Sequence, residues 1–182
     1  MDKGAKLTRI AKQIAACVEC KVGKSGLAVP GEGNPDAAVV FLGEAPGKTE
    51  AATGRPFVGR SGKLLRSHIR EAGFIEEEVY ITSPVKYLPD RGTPTKKDIR
   101  HGREHLMEQL RVIQPKYVVL MGATAVYAML EKTLPIMKVH GKVIKESGLT
   151  FLIMLHPAAV LRFPKYAPLM RADFALLAGL VK

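Results

Sequence analysis

Four short apolar runs constrain this chain more than any other feature. Ala38–Leu42, Val79–Thr82, Tyr117–Met121 and Phe151–Leu155 each suit a buried strand and are too short for a core helix. Segments with helical spacing lie around and between them. These are Leu7 to Val18, Ser61 to Ala72, a stretch from Thr95 to about Ile113, a short helix after Gly122 ending at Leu130, and Tyr166 to Val181. Ser61 reads as an N-cap and Gly73 as a stop, while Thr95 with Asp98 resembles a capping box. Val143-Ile144-Lys145 and the run from Phe151 flank a turn over 146–150, which predicts a hairpin. Lys21 to Asp36 is rich in glycine and proline and reads as a long loop. Strands alternating with helices predict an α/β fold: a three-layer α/β/α sandwich around a mainly parallel four-stranded sheet, in one domain over 1–182.

In such a sheet, ligands bind beyond the carboxyl ends of the strands. Gly43-Glu44, Ser83 and His156 each follow directly after a predicted strand, so all three should meet at one rim. The first of these turns is the richest in chemistry. Gly43-Glu44-Ala45-Pro46-Gly47-Lys48-Thr49-Glu50 combines two carboxylates with glycines, which let a ligand approach the backbone closely. It continues into Thr53-Gly54-Arg55-Pro56-Phe57-Val58-Gly59-Arg60. Phe57 fits neither a helical nor a strand period there, and it is a candidate stacking platform or a loop anchor packed on the sheet.

Charge narrows the class of partner. The 182 residues carry a formal net charge of +11, a field that favours a polyanion and speeds encounter with it. Charge alone leaves solubility as the other reading. No apolar run is long enough to span a bilayer and no signal-peptide core is evident, so the expectation is a cytoplasmic monomer away from membranes. The two cysteines, Cys17 and Cys20, form a C-x-x-C pair, which in a reducing compartment points to metal or redox chemistry before a disulfide.

The first-strand turn and the segment through Leu65 resemble the first motif of the uracil-DNA glycosylase superfamily, in particular the family-four enzymes of thermophilic bacteria and archaea. His156-Pro157-Ala158-Ala159-Val160-Leu161-Arg162 is similar to that superfamily's His-Pro catalytic and wedge loop. Tyr80 to Lys86 and the paired cysteines fit the same scheme. The resemblance implies a monofunctional DNA glycosylase that flips a base from DNA and hydrolyses its N-glycosidic bond. On that scheme Glu44, Glu50 and His156 are the catalytic set. His156 donates to the departing base, and Glu44 and Glu50 line the base and water site. Ala45, Gly47, Phe57 and Ser83 hold the base, the first two through backbone amides. Arg55, Arg60, Lys86, Val160, Leu161 and Arg162 contact DNA, with Leu161 as an apolar wedge and Arg162 as its cation. Read from the residues alone, His156 can equally be a strand-end cap, Glu50 the opening of a helical turn, and Leu161 the start of a core face.

The chain departs from that family twice. Ser83 stands where family-four enzymes carry an asparagine that reads the uracil edge. A hydroxyl is shorter and less discriminating than an amide. The substrate expectation is therefore uracil or a related pyrimidine. A modified cytosine removed in antiviral defence is an alternative, and a DNA-binding module without catalysis is a second. The family's [4Fe-4S] cluster uses four cysteines. Cys17 and Cys20 match the first pair, but the second pair falls near Tyr87 and Gly102. No cofactor is favoured on this reading. Packing of the N-terminal segment with Tyr87 filling the vacated space is expected over a zinc site made with His101 and His105.

Overall fold

The computed structural model describes residues 2–182. In chain order the elements are α1 (Lys3–Ala16), α2 (Val18–Lys21), β1 (Lys24–Ser25), β2 (Glu32–Gly33), β3 (Val39–Leu42), α3 (Lys48–Thr53), α4 (Arg60–Glu71), β4 (Tyr80–Thr82) and β5 (Leu88–Pro89). They continue with α5 (Lys96–Ile113), β6 (Tyr117–Met121), α6 (Ala123–Leu130), α7 (Ile136–Val139), β7 (Val143–Glu146), β8 (Leu149–Met154), α8 (Pro157–Arg162) and α9 (Ala167–Val181).

The central sheet has six strands in the order β2-β4-β3-β6-β8-β7. Its inner four, β4, β3, β6 and β8, are parallel and correspond to the four apolar runs. The expected count of four omitted the antiparallel edges, β2 and β7. β7 was legible as a hairpin arm, and Ser147-Gly148 turn the chain with positive φ at both residues, the geometry of a tight hairpin turn. β2 was not legible, because a glutamate and a glycine carry no apolar alternation, and Gly33 within the strand and Gly31 just before it both have positive φ.

The period of two divides each inner strand between two cores. Val40 and Leu42 of β3, with Val118 and Leu120 of β6, face a core shared with α1, α5 and α6. Val39, Phe41, Val119 and Met121 face the opposite core, closed by α4, α8 and α9. This is the expected three-layer arrangement, and it leaves the strand ends as the open rim.

Local signals held at α5, where the Thr95–Asp98 capping box is present. They failed at α4. Its N-cap is Gly59, with no side-chain cap of its own, and Ser61 lies inside the first turn. The carboxylate of Glu50 takes over, accepting from the amides of Val58 (2.9 Å) and Gly59 (2.7 Å). A cap supplied across the loop is invisible to a local reading.

Candidate active site

Glu44, Ala45, Gly47, Glu50, Phe57, Ser83 and His156 line one cavity of about 200 Å³ at the carboxyl rim of the sheet. That is below the ~300–1,000 Å³ of pockets for drug-sized ligands and suits one small planar ring. Strand placement explains the convergence. Glu44 follows β3, Ser83 follows β4 and His156 follows β8.

His156 caps α8, and its Nδ1 accepts the Ala158 amide at 3.2 Å. An amide can only donate, so Nδ1 is unprotonated and the ring proton of the neutral form sits on Nε2. Burial lowers the pKa of the imidazole from its ordinary value, against the nearby Glu44 charge, which raises it. The ring is thus held neutral with a donor at Nε2, on the side facing Gly43 and Phe57. Glu44 accepts from the Thr124 hydroxyl at 2.7 Å, which orients the carboxylate from α6.

Phe57 is buried, and its ring centroid lies 5.9 Å from that of His156 with the planes tilted by 36°. Its backbone has φ +51°, the left-handed region, which strains a bulky residue by about 1–3 kcal/mol. Three features hold it there. Arg66 donates from Nε to the Phe57 carbonyl (2.8 Å) and from Nη2 to the Pro56 carbonyl (2.8 Å). Glu32 and Glu76 in turn pair with Arg66. Glu50 grips the amides just downstream. Gly62 admits the backbone of the turn, since a Cβ there would lie 2.0 Å from the Phe57 carbonyl carbon. Gly43 likewise makes room for the ring, with 2.4 Å from a Cβ to the Phe57 ring. The sequence reading missed Arg66 and Thr124. Neither carries a local signal, because each acts through a partner far along the chain.

Glu50 is buried, with Oε1 committed to two backbone amides. It braces the aromatic loop. Ser83 is buried too, and its hydroxyl donates to the Val85 carbonyl at 2.8 Å, so toward the cavity it offers lone pairs only.

The polyanion-contact set separates into surface and interior. Arg60 and Arg162 are exposed, Leu161 is 37% exposed, and the neighbouring Phe163, which the sequence reading did not single out, is 44% exposed with the Arg162 guanidinium 5.3 Å over its ring. Arg55 is exposed but bound in a two-pronged pair with Glu32 at 2.9 and 3.0 Å. Two members of the set are corrected. Lys86 is 2% exposed, with its ammonium on the Pro30 carbonyl (3.1 Å), the Thr82 hydroxyl (2.8 Å) and Gln109 Oε1 (2.8 Å), where it cannot reach a phosphate. It anchors the loop before β3. Val160 is 4% exposed and packs in the α4–α8–α9 core, because the first turns of α8 turn that face toward the sheet.

Cys17 and Cys20 are joined by His101 and His105 of α5. Tyr87 is buried beside them, with its hydroxyl 3.4 Å from the Ile14 and Ala15 carbonyls. A [4Fe-4S] cluster does not fit these residues. Two cysteines are present where it needs four thiolate ligands. Gly102 has no room for a side chain, since a Cβ there would lie 2.0 Å from the Pro84 carbonyl oxygen.

Comparison with known proteins agrees with this architecture. Residues 30–177 match the profile of the Uracil DNA glycosylase superfamily. The Type-4 uracil-DNA glycosylase of Thermotoga maritima is 38% identical over 157 residues, covering 84% of this chain and 82% of that protein. The Type-4 uracil-DNA glycosylases of Sulfurisphaera tokodaii and Archaeoglobus fulgidus are each 36% identical over 179 residues, covering 92% of this chain and 81% and 89% of theirs. With a family match over most of the chain and relatives aligned over about four-fifths of their own length, this chain belongs to the uracil DNA glycosylase superfamily.

Proposed function

We infer that this chain is a monofunctional DNA glycosylase of base excision repair. It extrudes uracil from DNA and hydrolyses the bond between the base nitrogen and the sugar C1′, leaving an abasic site. The observation that carries the reading is the tautomer of His156. The Ala158 amide on Nδ1 keeps the donor on Nε2, beside the Phe57 ring, in a cavity the size of one base.

The chemistry follows from where charge develops. As the glycosidic bond breaks, its electron pair passes to the base and spreads onto the carbonyl oxygen next to the broken bond. The sugar becomes cationic at C1′. A neutral imidazole donor aimed at that oxygen stabilises the leaving anion in a site where fixed dipoles replace water. Water then adds to C1′ and gives up its proton, with Glu44 as the carboxylate that orients it and receives the proton. Phe57 stacks on the extruded base, which offsets part of the few kcal/mol of unstacking. Glu50 and Arg66 act through the loop, fixing the platform. Leu161 and Phe163 form the apolar tip that fills the vacated stack, and Arg60 and Arg162 meet phosphates. The net charge of +11 supports DNA as the partner. Action as a single-domain monomer in the cytoplasm completes the proposal; among the described residues no helix is long and apolar enough to cross a membrane.

Ser83 favours testing a second substrate, because a hydroxyl already spent on Val85 leaves the base edge with an acceptor and more room than an amide would. The test is incubation with duplex and single-stranded oligonucleotides carrying one uracil, hydroxymethylcytosine or its glucosylated form, followed by alkaline cleavage. Release of uracil is expected. Release of the modified cytosine alone replaces the substrate, and no abasic product from any of them refutes the enzyme.

A further inference from the structure

The cysteine–histidine group has a chemistry of its own. Cys17 caps α2 and Cys20 lies within it, while His101 and His105 stand one turn apart on α5. One ligand atom from each of the four lies within 4.8 Å of all the others. His101 Nε2 is 3.2 Å from Cys17 Sγ and 3.4 Å from Cys20 Sγ. Around one tetrahedral zinc ion, with Zn–S about 2.3 Å and Zn–N about 2.0–2.1 Å, sulfur and nitrogen ligands lie about 3.6 Å apart. The rings of His101 and His105 meet edge to face, 5.9 Å apart at 86°, so both can present a nitrogen to one point without stacking. Glu104 Oε2 lies 4.0 Å from Nδ1 of His101, on the side where a metal-bound imidazole finds its orienting acceptor.

We propose that this chain binds a single structural zinc ion through Cys17, Cys20, His101 and His105, in place of an iron–sulfur cluster. The spacings C-x2-C and H-x3-H are those of tetrahedral Cys2His2 sites. A two-iron cluster can also use two cysteines and two histidines, but it holds the imidazoles on one iron and the thiolates on the other. Here His101 touches both sulfurs, so one ion must hold all three. Four protein ligands leave no open position, which makes the site a fastener and removes it from the base chemistry. It ties the segment after α1 to α5, across more than eighty residues of chain. Tyr87, where the resemblance placed a third cysteine, fills the adjoining space.

The test uses full-length protein purified from cells supplied with both zinc and iron. Elemental and acid-labile sulfide analysis should give one zinc per chain, no sulfide and a colourless solution. Removal of the ion by a chelator should lower the melting temperature, and added zinc should restore it. Cobalt(II) loaded in its place should give the intense visible spectrum of a tetrahedral thiolate site, and His105→Ala should lose both that spectrum and the stoichiometric zinc. Iron with matching sulfide overturns the proposal. So does wild-type protein that takes up no zinc on incubation, or a weak octahedral cobalt spectrum. The wild-type measurements stand if the variant fails to fold, and none of these readouts depends on glycosylase activity.

Discussion

Replacing His156 with alanine removes two things at once, and the structure separates them. The first is the Nε2 donor. Loss of one preorganised donor to a developing oxyanion lowers turnover about 10²–10³-fold, or about 2.7–4 kcal/mol. The second is the cap on α8, where Nδ1 accepts the Ala158 amide. Losing a cap costs about 0.5–2 kcal/mol of stability. For a chain of this length each kcal/mol shifts the melting temperature by roughly 2–4 °C. His156→Asn distinguishes the two effects, because an asparagine oxygen can accept the Ala158 amide while its amide group is too short to reach the same point. Single-turnover release of uracil from a duplex oligonucleotide reads the chemistry, fluorescence anisotropy reads DNA affinity, and thermal denaturation reads the cap. His156→Ala should be slow and less stable, His156→Asn slow but close to wild type in melting temperature, and both should bind DNA nearly as well as wild type. A rate within tenfold of wild type for His156→Ala would falsify the donor role. A loss confined to DNA affinity, with normal turnover of bound DNA, would do the same.

The remaining predictions concern charge and shape around the same rim. Folding lowers the His156 pKa, so the unfolded chain takes up its proton first; this contribution to stability is intact above about pH 6.5 and declines as pH falls from there toward the folded value. Nitrogen NMR of labelled histidine should show a neutral ring protonated at Nε2 at pH 7, and an imidazolium signal there would refute the assigned tautomer. Gly43→Ala should displace the Phe57 ring, because the new Cβ would sit 2.4 Å from it. A misplacement of about 1 Å at a reacting centre can cost on the order of 10²-fold in turnover; an unchanged single-turnover rate would mean the ring does not position the base. Lys86→Met should leave the salt dependence of DNA binding unchanged, whereas Arg162→Ala should lower its slope by about 1. The same Lys86→Met change should reduce stability by about 1–3 kcal/mol in chemical denaturation, since Gln109 Oε1 loses its donor inside the core. A reduced salt slope for Lys86→Met would return that lysine to the DNA surface.

Much of this protein was legible in its residues taken in order. The inner strands are apolar runs buried on both faces, so their composition announced them, and the rule that ligands gather at strand ends was enough to bring Glu44, Ser83 and His156 to one cavity. Those signals are local, carried by neighbours within a few positions. The three-dimensional fold decided everything that depends on partners distant in sequence. It buried Lys86 beneath the Pro30 loop, turned Val160 into the core, committed Glu50 to two amides, and set Arg66 behind Phe57. It also carried His101 to within 3.2 Å of Cys17 Sγ, 84 positions away, and so brought together the two pairs whose joining the sequence suggests but ranks below simple packing. Periodicity reports which face of an element is apolar. Only the packing of one element on another determines which polar groups lose water and must find each other.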